Sequence, residues 1–219
     1  TGVQTCALPI WTVGATGGAW HFGNIYAMNF FIQTVRPRVE QNKITGNPAN
    51  IKHYFGEAYF LRSLDYFNRL VALGDFPIIA SVLPANHDIL VKASERRPRN
   101  EVARFILASL DSAIINLSNT PPGGKVRITK NTALLLKARV ALFEATWEKY
   151  HAGTPLVPNG TDWPGKTKEY LKNYTYDATK EINFFLDQAM DASKQVAEAT
   201  TLVSNNKVMQ QAASDAKNL

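Results

Sequence analysis

Residues 56–79 read GEAYFLRSLDYFNRLVALGDFPII, a run that sets acids and arginines among aromatics and stops on Gly-Asp-Phe-Pro. Taken with the residues before it, Ile51, Tyr54, Phe55, Ala58, Leu61, Leu64 and Val71 recur at three- and four-residue steps, which predicts a helix over 50–73. Tyr59, Phe60 and Tyr66 widen the apolar stripe around most of the circumference, so this helix is expected at the centre of the molecule. Gly74 can adopt the left-handed position that closes a helix, and Pro77 forbids continuation. Asp65 and Arg69 stand four apart and suit an intrahelical pair. Glu57 falls in the first part of the helix and Asp75 in the turn, and structural roles are expected for all of these charges, Arg62 included.

The same periodicity extends in both directions. Phe22, Ile25, Tyr26 and Phe30 predict a helix over 18–35, ended by Pro37, and 40–50 collects Asn, Gly and Pro as a loop. Residues 80–99 are expected to form a long connection with about one turn of helix. Asn100 is the expected cap of a helix carrying Val102, Phe105, Ile106, Leu110, Ala113, Ile114 and Leu117. After NTPPGGKVRITK, which lacks the G-x-x-x-x-G-K-[ST] pattern of a phosphate loop, Thr129 caps a helix with a small-residue ridge of Ala138, Ala141 and Ala145. Asp177 starts a fifth helix marked by Ile182, Phe185, Ala189, Ala192 and Val196, and the tail begins another. The fold class is therefore all-α: antiparallel helix hairpins of tetratricopeptide-like size with long loops, the longest an aromatic excursion over 151–176.

Several function classes are excluded by composition. The chain has 219 residues, 45% hydrophobic, and a net charge of +6, but its lysines and arginines are scattered, and a nucleic-acid partner is not expected. One cysteine, Cys6, rules out an internal disulfide, and the histidines at 21, 53, 87 and 151 lack ligand spacing, so neither metal nor cofactor is implied. No paired-carboxylate or G-x-S-x-G signature points to an enzyme. Residues 1–10, TGVQTCALPI, have no period and resemble the translation of a sequencing adapter, so 1–17 is read as a foreign or disordered leader and 18–219 as the domain.

The segment from Gly56 to Pro77 resembles the SusD/RagB family of glycan-binding outer-membrane lipoproteins. Gly56, Glu57, Ala58, Phe60, Leu61, Arg62, Tyr66, Phe67, Leu70, Val71, Gly74, Asp75 and Pro77 match its most recognisable helix and turn in order and spacing. RPRNEVARFILASLDSAIINL and TKNTALLLKARVALFEATWEKYH are similar to two further helices of that family, the latter through Lys137, Ala138, Arg139 and Val140. The likeness covers about residues 18–200. It implies a SusD-like N-terminal helical domain, a fragment whose signal peptide, lipidated cysteine and C-terminal half are missing. It further implies cell-surface capture of oligosaccharides in Bacteroidetes, at the extracellular face of the outer membrane. Delivery would be to a SusC-like TonB-dependent transporter, with membrane attachment only through the lipid anchor. The alternative is a helical-repeat scaffold for protein interaction that binds no sugar.

A sugar ring offers an apolar C–H face and a rim of hydroxyls, so its site needs an exposed aromatic plate flanked by amides or carboxylates. Trp163, with Asn159 and Asp162, has that composition in a loop. A second role is open to Trp163, pinning the loop to the helices beneath, and the tendency of large aromatics to bury weighs for it. Tyr170, Tyr174 and Tyr176 share the ambiguity, and exposure of this loop around a concavity is what separates a glycan binder from a scaffold. The 40–50 loop, which in the family contributes to ligand contacts, adds Asn47 and Asn50 but no aromatic of its own. Trp147 is expected in the core, and Arg62 and Arg139 are expected to pack their stems and pair with carboxylates.

Overall fold

The structure, a computed structural model, describes residues 20–124 and 126–201. The leader assigned to 1–17 and the helix expected in the tail lie outside the described residues. Six α-helices follow one another: α1 (Gly23–Glu40), α2 (Pro48–Leu73), α3 (His87–Ala93), α4 (Arg99–Asn116), α5 (Lys130–Tyr150) and α6 (Ala178–Glu198). Two 3₁₀ turns, Pro164–Thr167 and Glu169–Leu171, occupy the connection between α5 and α6. Among the described residues there is no strand, and an isolated antiparallel bridge joins Phe76 to Arg97. No helix among them is long and apolar enough to cross a membrane.

The long helices are antiparallel neighbours, and their cross-contacts say so. Between α1 and α2, Asn24 meets Asp65, Asn29 meets Arg62 and Arg36 meets Tyr59, one number falling as the other rises. Between α2 and α4, His53 meets Ser118 just past the end of α4, Arg62 meets Ser109, and Tyr66 meets Phe105. Arg99 with Glu144 and Asp111 with Lys137 repeat the pattern between α4 and α5. α2 is central, as its wide stripe predicts: Phe60, Tyr66, Phe67 and Leu70 share one core with Val102, Ile106 and Leu110 of α4 and Val140, Ala141 and Ala145 of α5. Burying each large side chain of this kind contributes about 1.5–3 kcal/mol before conformational entropy is charged against it.

The helix ends explain much of the signature run. Asn47 caps α2 by accepting the N–H of Ala49 at 2.9 Å, with Pro48 at the first helical position. Gly74 ends it with φ +69°, where a side chain would be strained. Gly56 is needed for proximity, since a Cβ there would sit 2.7 Å from Leu117 Cγ and 2.9 Å from Leu117 N. That close approach lets His53 Nδ1 accept the N–H of Ser118 at 3.2 Å. Thr129 and Thr132 form a reciprocal capping box on α5, and Asp177 caps α6 through the N–H of Lys180.

Several boundaries differ from expectation: α1 starts at Gly23 rather than 18, and α2 at Pro48 rather than 50. Pro37 lies inside α1, which runs on to Glu40. In the last turn its ring removes only its own N–H, and its carbonyl still accepts from Gln41 N at 3.0 Å. α4 starts at Arg99, one residue before the expected cap Asn100. The capping oxygen arrives from far away: Asp75 Oδ1 accepts the N–H of Arg99 at 2.9 Å, which leaves Asn100 to accept the Tyr174 hydroxyl at 2.7 Å.

Candidate ligand-binding site

The charges of the signature run point to separate partners. The carboxylate of Glu57 accepts from both Nε and Nη2 of Arg127 and faces His53 Nε2 at 3.5 Å. Asp65 accepts from Asn24 at 3.2 Å and pairs with Arg69 at 3.4 Å, as the four-residue spacing predicts. Arg62 differs from expectation, because its head meets no carboxylate. Only 6% exposed, it donates to Ser109 Oγ at 2.7 and 3.2 Å and to Asn29 Oδ1 at 2.9 Å, with its guanidinium about 5 Å from the Tyr59 and Phe105 ring centres. Burial lowers its pKa. Asp75 accepts from the Arg99 N–H and the Trp163 indole, and burial raises its carboxyl pKa against the pull of those two donors. These residues brace the bundle, each on a different neighbour.

The aromatic excursion is folded inward. Trp163 is 4% exposed, and its Nε1 donates to Asp75 Oδ2 at 2.8 Å. Gly165 lies so close beneath the indole that a Cβ there would fall 2.2 Å from the ring, and a Cβ on Gly160 would fall 1.8 Å from the Thr154 carbonyl. Tyr174 and Tyr176 are half-buried and donate to Asn100 and Glu148. Asn159 and Asp162 are exposed turn residues with φ +60° and +59°. The expected plate of Trp163 flanked by Asn159 and Asp162 is therefore not on the surface, because the indole is spent as a buried pin.

Beneath that loop lies a buried polar layer. Arg99 forks onto Glu144 at 2.8 and 2.9 Å, and Trp147 lies over its guanidinium, 4.4 Å away at the ring centre. Trp147, expected in the core, is half-buried and donates to the Leu156 carbonyl at 3.3 Å. Glu148, one turn after Glu144, is fully buried; Tyr176 donates to its Oε2, and Oε1 has no partner. Burial first, and the Glu144 charge second, push the Glu148 carboxyl up to about 8, which favours its protonated form.

The open concavity lies at the other end of α2. A cleft of about 840 Å³ is floored by Val39, Ile44, Ile51 and Phe55 and rimmed by Asn42, Thr45, Asn116, Arg36 and Lys52. A neighbouring bay of about 340 Å³ shares Ile44, Thr45, Gly46, Ile51 and Phe55, and brings in Phe31, Asn47, Asn50 and Tyr54. Both volumes suit a small-ligand site. Of the five residues singled out in the sequence, Asn47 and Asn50 come together here, and Trp163, Asn159 and Asp162 do not join them. The missing aromatics are supplied by helices: Phe31 from α1, and Phe55 and the 38% exposed Tyr54 from α2. Sequence reading had absorbed Tyr54 and Phe55 into the core stripe; the only hint was a stripe wider than one buried face needs.

Two other hollows are chemically occupied. One of about 300 Å³ beside Trp147 is walled by Asp75, Arg96 and Arg99, whose polar groups already serve Leu73, Asp75, Glu144 and Trp163. One of about 480 Å³ near Tyr174 holds Arg97 on Glu101 and Arg104 on Glu181.

Against known proteins, no family model matches the sequence, and no curated protein matches it. Solved structures do. A SusD homolog from Bacteroides thetaiotaomicron is similar at 19% identity over 83% of this chain and 29% of its own, with a TM-score of 0.56. A SusD-like protein from Bacteroides fragilis is 27% identical over 57% of this chain and 23% of its own, with a TM-score of 0.47. A SusD-like carbohydrate-binding protein from the same species is 19% identical over 47% of this chain and 20% of its own, with a TM-score of 0.40. The chain thus spans less than a third of the length of each of these structures. With antiparallel hairpins in sequence order around a central α2, and the thetaiotaomicron homolog alike over most of the chain, this is the all-α helical fold of the SusD-like proteins.

Proposed function

We propose that the protein captures oligosaccharides or related nutrients at the extracellular face of the outer membrane and passes them to a SusC-like TonB-dependent transporter, with no reaction catalysed on them. The observation that carries this reading is the cleft between α1 and α2. It offers an apolar floor, an accessible Tyr54 ring and the amides of Asn42, Asn47, Asn50 and Asn116 within a SusD-like frame. Those are the two kinds of surface that a sugar ring presents in reverse. Among the described residues no carboxylate lines the cleft or its bay, so they offer no candidate for the general acid that glycosidic cleavage needs.

The test is retention of the purified protein on a panel of immobilised oligosaccharides, followed by calorimetric titration of the hits. Binding that weakens about tenfold in Asn50→Ala and Tyr54→Ala is the expected result, the size of one lost hydrogen bond or ring contact. A panel with no hits, or hits indifferent to both substitutions, overturns the reading. One observation favours the scaffold alternative: Trp163, Tyr174 and Tyr176 are turned inward, as a protein-binding helical array without a sugar site requires. Under that reading the same panel stays blank.

A further inference from the structure

We infer that the ligand of the cleft is anionic, an oligosaccharide bearing carboxylate or sulfate groups; this rests on the glycan reading above and narrows its substrate class. The ground is a charge imbalance along the rim of that cleft. In the hollow near Tyr174 each arginine faces its own glutamate, Arg97 on Glu101 and Arg104 on Glu181, and beside Trp147 the buried Arg99 forks onto Glu144. Among the described residues the cleft is lined by Arg36 and Lys52 and by no acid. Among the described residues neither cation forms an ion pair, while the nearby Glu57 is held by Arg127.

Arg36 is also set in position. Its Nη2 donates to the Tyr59 hydroxyl, and its guanidinium lies 5.7 Å from the Phe55 ring centre and 5.8 Å from that of Tyr59. A guanidinium has five N–H donors, so most of the fork remains to meet an oxyanion, and the two rings hold it without neutralising it. Lys52 stands exposed on the α2 wall of the same cleft. The N-terminus of α2, at Pro48 on the rim, adds partial positive charge of its own. A neutral sugar would use the floor and the amides but leave this concentration of positive charge unanswered. A uronate or sulfate ester on the ring would answer it with charge-assisted hydrogen bonds.

The experiment titrates the protein with three oligosaccharides matched in length, one neutral, one carboxylated and one sulfated, at low and at high salt. At least one acidic arm is expected to bind about tenfold tighter than the neutral one, with an advantage that shrinks as salt screens it, and the arm that wins identifies the anion. Arg36→Gln with Lys52→Gln is expected to abolish that advantage. Arg139→Gln with Lys149→Gln, which removes the same charge from exposed positions on α5, is expected to preserve it. Equal binding of neutral and acidic arms overturns the inference and leaves the glycan reading standing, as does an advantage that survives the cleft variant or vanishes in the α5 variant. Failure of all three saccharides to bind overturns both.

Discussion

The 40–50 loop and the 151–176 excursion are both rich in turn residues, and they meet opposite fates. The excursion contains conspicuous side chains, and turns Trp163, Tyr174 and Tyr176 toward Asp75, Asn100 and Glu148. The earlier loop has no aromatic, yet it overhangs the open cleft, because α1 and α2 lend it Phe31, Tyr54 and Phe55. What separates them is the supply of buried polar partners. An indole N–H and tyrosine hydroxyls can go inside only where acceptors wait, and the layer under the excursion provides three. No such set of acceptors takes up the polar side chains of the 40–50 loop among the described residues: the Asn47 oxygen caps α2, and Asn42 stays exposed at the cleft.

The largest effect that could break this contrast is at Trp163. Trp163→Ala is expected to lower unfolding free energy by about 3–5 kcal/mol in denaturant titration, with saccharide affinity of the folded protein unchanged. Lost affinity at unchanged stability would reverse the assignment of the two regions. Next is Glu148. Its folded pKa of about 8 lies above the 4.5 of a free carboxyl, so between those values the folded state holds a proton that the unfolded chain has released. Stability contributed by this site is therefore full at pH values below about 4.5, falls as pH rises, and is lost above about 8, by something on the order of a few kcal/mol. Glu148→Gln is expected to flatten that decline in thermal midpoints measured from pH 5 to pH 9, and an unchanged decline would place the titrating group elsewhere.

Smaller changes sharpen the contrast from the side of the frame and the cleft. Gly56→Ala forces a methyl against Leu117 and is expected to cost about 1–3 kcal/mol, read in the same denaturant titration, without altering the excursion. Tyr54→Ala, at a partly exposed ring, is expected to change stability by about 0.5 kcal/mol or less while weakening saccharide binding about tenfold. A stability loss of the Trp163 size at Tyr54 would make that ring core rather than binding surface.

The helices were legible because their signals are local. Gly74 and Pro77 stop α2, Thr129 opens α5 and Asp177 opens α6, each through groups within a few residues. Pro37 misled because its cost depends on how many turns follow it, and here almost none do. Asn100 misled because Asp75 caps α4 from 24 residues away. The site was half legible for the same reason. Asn47 and Asn50 stand three residues apart at the start of α2, whereas Phe31 reaches the bay only after α1 and α2 pack. Burial of Trp163 as a pin was the weightier of its two roles in the sequence, but its partner Asp75, 88 residues away, was not legible there.

That facing pair spans 88 residues of chain, and the span dictates an order of events. The same carboxylate meets the Arg99 amide over a much shorter separation, so the corner between α2 and α4 can set early, while the indole must wait until α5 has come back alongside. The excursion is accordingly the segment that locks last during folding and opens first under stress, and limited proteolysis of the native protein should make its first cut there.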